Sequence, residues 1–251
     1  MASVTSIPQL IPILLLATLP CAADGLSDLL GTLGKLQGTE AIHAKAEIQN
    51  WSQNGEGKKA RIKQTHSTVQ IEDGPNGLRL GWTSAQIQGA RKESQLKAAD
   101  PEAVTPNLDS LSALNGLGAT TFLSQSDHLL QQLKGATVME DRSDSYQGKP
   151  ARLVVFKLDP TVGAEEKSMI KDRKETLKVW LDGHNVPFAT EHAIAIKASK
   201  FLISFTANNR EVRKLAVLGN RLVVSNETQE NSGSGMGFSN TSKKVTALSF
   251  Y

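Results

Sequence analysis

Two carboxylates and two histidines lie close together in the sequence around one polar turn. They are Asp182, His184, Glu191 and His192, side-chain types that bind zinc when four of them converge. The stretch lacks the His-Glu-x-x-His spacing of a helical zinc site. Polar side chains are also common in any turn between strands. We therefore expect a polar turn here, and the sequence predicts neither a metal nor a cofactor.

Two further patterns are compatible with catalysis but do not support it. Asp127 and His128 are adjacent in a candidate helix, where neighbouring side chains point in different directions, so no hydrolase dyad is predicted. The segment "GSGMG" at 233–237 resembles a phosphate loop but lacks the terminal Lys-Ser/Thr pair and a following helix. It predicts a hairpin tip. No Gly-x-Ser-x-Gly elbow is present, and we expect a protein that is not an enzyme.

The first residues of the chain differ in composition from the rest. No charged side chain precedes Asp24, and an apolar run over 10–19 is followed by small residues up to Ala23. This pattern predicts a secretory signal peptide over residues 1–23, and an exported, periplasmic domain over 24–251. An uncleaved anchor is the alternative, although the run is shorter than the ~20 apolar residues that span a bilayer.

Cys21 is the only cysteine of the chain. Bacterial lipoproteins are acylated on a cysteine in this region, but Thr18 and Pro20 do not fit the sequence that the acylating enzymes require, so we do not expect lipid anchoring. After cleavage the domain would contain no thiol and no disulfide. Its stability must then come from the size of its core, which is feasible for a domain of this length.

Charge and composition exclude one broad class of function. The 251 residues include 28 Lys and Arg against 25 Asp and Glu, a net charge of +3, and only 5% are aromatic. No block of basic residues interleaved with aromatics is present, so nucleic-acid binding is not predicted. The length fits one large domain.

Helical and strand-like periodicities follow one another along the predicted domain. Leucines at helical spacing over 26–36 predict an amphipathic leading helix. Alternating segments then predict an antiparallel meander with one apolar face. Residues 89–134 lose the alternation and predict a helical insertion, after which strands resume to the end, about ten in all. The segment 230–242 is predicted as a loop. Trp180 shares its strand face with Lys178 and Asp182, and is predicted to be either an exposed aromatic on the convex side or covered by the insertion.

The apolar face of the sheet is the feature with functional meaning. If helices cover this face completely, it forms a closed core. If the cover leaves a gap, the face lines a cavity that a ligand can fill. Burying an acyl chain of about 16 carbons would contribute on the order of 10 kcal/mol before ordering costs. Periodicity alone does not distinguish these alternatives. The candidate ligand-binding residues are Val69, Ile71, Leu78, Leu80, Trp82, Leu177, Val179 and Leu181.

A leucine-rich leading helix, "GKPARLVVFKLDP" at 148–160 and "LKVWLDGHNVPF" at 177–188 together suggest a family. The chain resembles the bacterial lipoprotein-carrier (LolA/LolB-like) superfamily. The resemblance implies an α+β, mainly antiparallel fold: a strongly curved open sheet, or half-barrel, whose concave face is covered by the leading helix and the insertion. It also implies a monomer that binds a hydrophobic ligand or a lipidated protein, with an envelope membrane protein as a further partner. A periplasmic structural or interaction module with a closed core is the alternative.

Overall fold

The computed structural model describes residues 25–57, 60–101, 103–159, 169–200 and 203–251. The predicted signal peptide and Cys21 lie outside these residues. Within them no helix is both long and apolar enough to cross a membrane. The helices are α1 Gly25–Lys35, α2 Ser84–Ala99, α3 Pro106–Ser112, α4 Gly116–Leu123 and α5 Gln125–Gln132. The strands are β1 Ile42–Asn54, β2 Arg61–Gly74, β3 Gly77–Gly81, β4 Thr137–Tyr146, β5 Lys149–Lys157, β6 Ile170–Leu181, β7 Pro187–Lys200, β8 Ile203–Leu218, β9 Arg221–Gly235 and β10 Phe238–Phe250.

The ten strands form one antiparallel sheet in the order β3-β2-β1-β10-β9-β8-β7-β6-β5-β4. Strand β1 pairs with the last strand, β10, so the first three strands of the chain join the other seven within one sheet. Among the described residues β3 and β4 are not paired with each other, and the sheet is therefore open. The prediction of a mainly antiparallel, open sheet of about ten strands is confirmed.

The helices pack on one face of the sheet, which we call the inner face. In α1 the buried side chains are Leu29 and Leu33, whereas a Cβ added at Gly31 or Gly34 would meet nothing within 4 Å. The two glycines therefore face away from the sheet, and packing of the leucines stabilises the helix, as predicted. The buried apolar side chains that α1, α4 and α5 contribute to the main core are Leu29, Leu33, Ala119, Phe122, Leu123 and Leu129.

The helical insertion begins at Ser84, five residues before its predicted start. Its first helix, α2, is polar on most of its surface, and its buried residues are Ala90 and Glu93. Because it has no clear apolar stripe, periodicity does not reveal its start. A capping box marks it instead: the Thr83 side chain accepts from the Gln86 backbone N–H, and Gln86 Oε1 accepts from the Thr83 backbone N–H at 2.9 Å.

One prediction about the last two strands is wrong. Residues 230–242 are not a loop, because β9 and β10 remain paired as far as Gly235 and Phe238, and only Met236 and Gly237 form the turn. Small residues in this segment hide the strand because they carry no hydrophobic alternation. The predicted hairpin tip at 233–237 is confirmed in this narrower form.

Trp180 is covered, but not by the insertion. It lies on the outer face of the sheet, 9% exposed, in a small second cluster with Leu153, Val155 and Ala189. Tyr146 packs against its ring with the ring centroids 4.9 Å apart. The indole Nε1 donates to Asp144 Oδ2 at 3.0 Å. Residues of the neighbouring strands therefore bury this tryptophan, and the predicted choice between exposure and helical cover is wrong.

Candidate functional site

The inner face has a covered end, where the helices lie, and five of the predicted ligand-binding residues belong to it. Val69, Ile71, Val179 and Leu181 are 0% exposed and Leu177 is 1% exposed. All five share one hydrophobic core with leucines of α1, α4 and α5. An acyl chain could enter between them only if the helices moved away from the sheet.

The other three predicted residues lie at the β3 edge. Leu78, Leu80 and Trp82 are partly buried and pack against the same core. Leu78 and Leu80 are opposite Asp73 and Ile71 in the ladder between β2 and β3. The Trp82 Nε1–H is buried and has no hydrogen-bond partner among the described residues. The structure thus brings all eight predicted residues into contact with one core, in two groups. One group lies on β2, β3 and the residue Trp82 that follows β3, and the other lies on β6.

The opposite end of the inner face, which we call the open end, carries Ile194, Ile196, Ala207, Gly233 and Phe238. They come from β7, β8, β9 and β10 and line a cleft of about 500 Å³ whose surface is mostly apolar. The polar side chains that also line it are Asn208, Asn209, Asn231, Ser232, Asn240 and Ser242. The side chain of Phe238 is 55% exposed. The alternation that places Val179 and Thr190 on the inner face at the covered end also places Ile194 and Ile196 there. The open end is therefore an apolar surface built by the same strands.

A charged belt separates the two ends of the inner face. It consists of Glu175, His192, Glu211, Arg213 and Glu227, contributed by strands β6 to β9. Arg213 Nε donates to Glu227 Oε2 at 2.8 Å and lies 3.1 Å from Glu211 Oε1. His192 Nε2 lies 2.9 Å from Glu175 Oε1. The belt thus places buried ion pairs next to the apolar core, where each charge needs its partner.

Helix α5 is tied to the belt by a hydrogen bond. Gln125 is 1% exposed, and its Oε1 accepts from Arg213 Nη1 at 3.0 Å. Because Gln125 begins α5 and Arg213 lies in the middle of β8, this contact fixes the start of the helix over the sheet. The guanidinium thereby joins two strands and one helix.

A second cleft, of about 470 Å³, opens between the belt and the helices. His192, Glu211, Arg213 and Glu227 line it on the sheet side. Burial, aided by the charges of Arg213 and His192, lowers the pKa of His128 to about 4. Burial also raises the pKa of Glu211, and the nearby Glu227 carboxylate adds to this effect. On the helix side the lining residues are Ser112, Ala113, Leu114, Asn115, Gly118, Thr121, Phe122, His128 and Gln132, and Lys244 of β10 completes it.

The residues first considered for metal binding do not converge. Asp182 Oδ1 accepts from the backbone N–H groups of His184 and Val186 and so stabilises the turn. Glu191 and His192 are adjacent in β7 and point to opposite faces of the sheet. No group of three or more metal-ligating side chains occurs among the described residues.

The pair Asp127 and His128 also separates in the structure. Asp127 is exposed and accepts a hydrogen bond from Gln37, whereas His128 faces the second cleft. Their side chains therefore have different surroundings, as adjacent helix positions must.

Sequence reasoning missed both the charged belt and the open end. The segment "AIAIK" at 193–197 contains a clear signal, since Ile194 and Ile196 continue the alternation of β7. No comparable sequence pattern marks the residues of the belt. Arg213 and Glu227 occupy the apolar phase of their strands, and nothing local indicates that they pair with each other 14 residues apart.

No model of a known protein family matches the chain, and no curated protein matches it. One solved structure, the crystal structure of MucB in complex with MucA(peri), is similar over 89% of this chain and 94% of that chain. The sequence identity is 9% and the TM-score is 0.25. A likeness at this TM-score carries no argument about function, and the resemblance to lipoprotein carriers stays a prediction.

Proposed function

We propose that this protein is an exported, non-enzymatic binding protein that takes up a hydrophobic ligand at the open end of its inner face. The observation that carries the proposal is the apolar cleft of about 500 Å³ on the strands beyond the helical cover. Its volume falls in the usual range of small-molecule sites, about 300–1,000 Å³. An acyl chain of a lipid or of a lipidated protein is the ligand of this chemistry.

The open end supports binding of an apolar chain for two reasons. Ile194, Ile196 and Phe238 offer apolar surface, and each methylene that they remove from water contributes about 0.8 kcal/mol. Amides at the border offer polar contacts for the other end of a ligand. Asn209 donates to Asn231 Oδ1, and Asn231 Nδ2 lies 3.3 Å from Ser242 Oγ, so these side chains form an ordered row across three strands.

A structural or interaction module with a closed core is the second candidate. The observation that favours it is the complete burial of Val69, Ile71, Val179 and Leu181 beneath the helices. Under this alternative the covered end serves only stability, and the open end contacts a protein surface and takes up no acyl chain. The two candidates therefore differ in whether a free fatty acid binds.

Titration of the purified domain with a fluorescent fatty acid tests the proposal. Ile196→Asp places a carboxylate in the cleft, and we expect it to weaken binding by at least about tenfold. Ile62→Asp is the matched control, because Ile62 is 61% exposed and lies on the outer face of β2. It should leave binding unchanged. Failure of the unsubstituted protein to bind the fatty acid would favour the closed-core module.

Export is tested separately. The mass of the protein isolated from the envelope of its host should correspond to residues 24–251, as cleavage after Ala23 requires. A mass that includes residues 1–23 would instead indicate an anchored or unexported protein. Native mass spectrometry of the same sample would reveal a bound lipid by its added mass.

A further inference from the structure

Two carboxylates share a single guanidinium at the floor of the second cleft. Arg213 Nε lies 2.8 Å from Glu227 Oε2 and 3.1 Å from Glu211 Oε1. The side chains of all three are at most 17% exposed, so water screens them weakly. When both carboxylates are ionised, Arg213 compensates only one of their two negative charges. From this geometry we infer that the second cleft binds a cationic group, an alkylammonium or guanidinium, of the ligand proposed for the open end.

The other charged groups around the cleft do not cancel this excess. Lys244 lines the cleft, but its Nζ donates to the Ala113 carbonyl oxygen at 2.9 Å, at the C-terminal end of α3. Gln229 of β9 lies between Lys244 and Glu211 in the register. Lys244 and Glu211 are therefore two strand spacings apart, about 10 Å.

Of the remaining belt residues, Glu175 has a cation of its own in Arg173, and His192 lies directly opposite Glu211 in the ladder between β7 and β8. Glu175 Oε2 accepts from Arg173 Nη2 at 2.6 Å, and Glu175 Oε1 lies 2.9 Å from His192 Nε2. His128, on the helix side of the cleft, stays neutral above about pH 4, so it adds no cation near neutral pH. Glu211 is thus the carboxylate on which a cation from outside would act.

An unpartnered hydroxyl next to Glu227, on the neighbouring strand, is a second, independent observation. Thr246 is directly opposite Glu227 in the ladder between β9 and β10, on the inner face. It is 0% exposed, and its Oγ1 has no hydrogen-bond partner among the described residues. A buried hydroxyl without a partner is costly. An ammonium or guanidinium donor beside Glu227 would give this oxygen a hydrogen bond.

The position of the cleft fits an amphiphile that also occupies the open end. Glu211 and Ala207 are four residues apart in β8 and point to the same face, which places them about 13 Å apart. A ligand whose apolar chain lies on Ile194 and Ile196 would therefore place its polar end at the belt. This inference rests on the proposed function and specifies the polar end of its ligand.

Three probes with the same twelve-carbon chain test the inference: dodecylammonium, dodecanoate and dodecanol, each used below its aggregation concentration. Dissociation constants are measured by displacement of the fluorescent fatty acid at neutral pH. We expect dodecylammonium to bind at least about tenfold more tightly than dodecanoate, because the ammonium forms a charge-assisted hydrogen bond with Glu211. Dodecanol should fall between them.

Two substitutions locate the effect. Glu211→Gln removes the charge and keeps the shape of the side chain, so the preference for the ammonium should fall to within about threefold. Gln229→Lys places an ammonium of the protein beside Glu211 and should remove the preference as well. Glu230→Gln is the control, because Glu230 lies on the outer face of β9 and pairs there with Lys243. It should leave the preference intact.

The outcomes separate this inference from the proposed function. Equal binding of the three probes, or a preference that survives Glu211→Gln, would overturn the cation site and leave the hydrophobic site standing. Absence of binding by every probe would overturn the proposed function, and the cation site with it. Tighter binding of dodecanoate would also contradict the inference, since it would indicate that Arg213 or Lys244 governs the cleft.

Discussion

The covered end and the open end of the inner face are built by the same strands and differ in what lies over them. At the covered end Val179 and Leu181 are sealed beneath helices, whereas at the open end Ile194 and Ile196 line a cleft. Both pairs follow the same alternation along their strands. An alternating pattern therefore identifies an apolar face, but its cover depends on where distant helices pack.

The largest effect should come from the charge that separates the two ends. Arg213→Met leaves Glu211 and Glu227 buried without their cation, and we expect it to lower the free energy of unfolding by about 3–5 kcal/mol. Urea denaturation measures this loss. Arg210→Met in the same strand is the control, because Arg210 is 52% exposed on the outer face and should cost at most about 1 kcal/mol. Equal losses in the two variants would contradict the assigned role of the belt.

Matched truncations compare the two ends directly. Leu177→Ala empties a fully covered position and should cost about 2–5 kcal/mol. Ile196→Ala removes a half-buried side chain at the open end and should cost only about 1 kcal/mol. Thermal or urea denaturation of both variants checks the difference. If Ile196→Ala were the more damaging substitution, the open end would have to be part of the core.

The pH dependence of stability should report the burial of His128. Its pKa falls from 6.5 to about 4 on folding, because burial disfavours the charged ring. The neutral ring contributes stability that is fully present above pH 6.5 and is lost as the pH falls toward 4. At pH 4.5 the loss from this group should be about 2 kcal/mol. His128→Asn should reduce the acid destabilisation, and His66→Asn on the outer face should not.

The smallest predicted effect concerns the start of the insertion. Thr83→Ala removes the capping box of α2 and should cost about 1 kcal/mol. Hydrogen exchange should increase in the first turn of α2 and remain unchanged in α4 and α5. Thr121→Ala is a control, because the Thr121 hydroxyl donates to the Leu117 carbonyl oxygen within its own helix. An equal effect of both substitutions would indicate that the cap does not hold the helix start.

Local patterns were sufficient for much of the fold. The leucine spacing in "LSDLLGTLGKL" predicted α1, and the alternation in "AIHAKAEIQNW" predicted β1. Segments without hydrophobic contrast were missed. The start of α2 is nearly all polar, and the tips of β9 and β10 are rich in Gly, Ser and Asn, so they gave no periodic signal.

The candidate sites were harder to predict because they depend on contacts between distant residues. The pairing of Arg213 with Gln125 joins residues 88 apart in the chain. The burial of Val69 and Val179 depends on α1, α4 and α5, which are distant from one or both of them in the sequence. The alternation in the sequence identifies the apolar positions, but it does not indicate where along the strands the helical cover ends.

Photo-crosslinking with a fatty acid that carries a diazirine on its chain tests the central claim most directly. The probe is bound to the folded domain and irradiated, and the adducts are mapped by mass spectrometry of the peptides. We predict adducts at the open end, in peptides containing Ile194, Ile196, Ala207 or Phe238. Adducts at Val69, Ile71, Leu177 or Val179 would contradict this, because they would place the acyl chain beneath the helices.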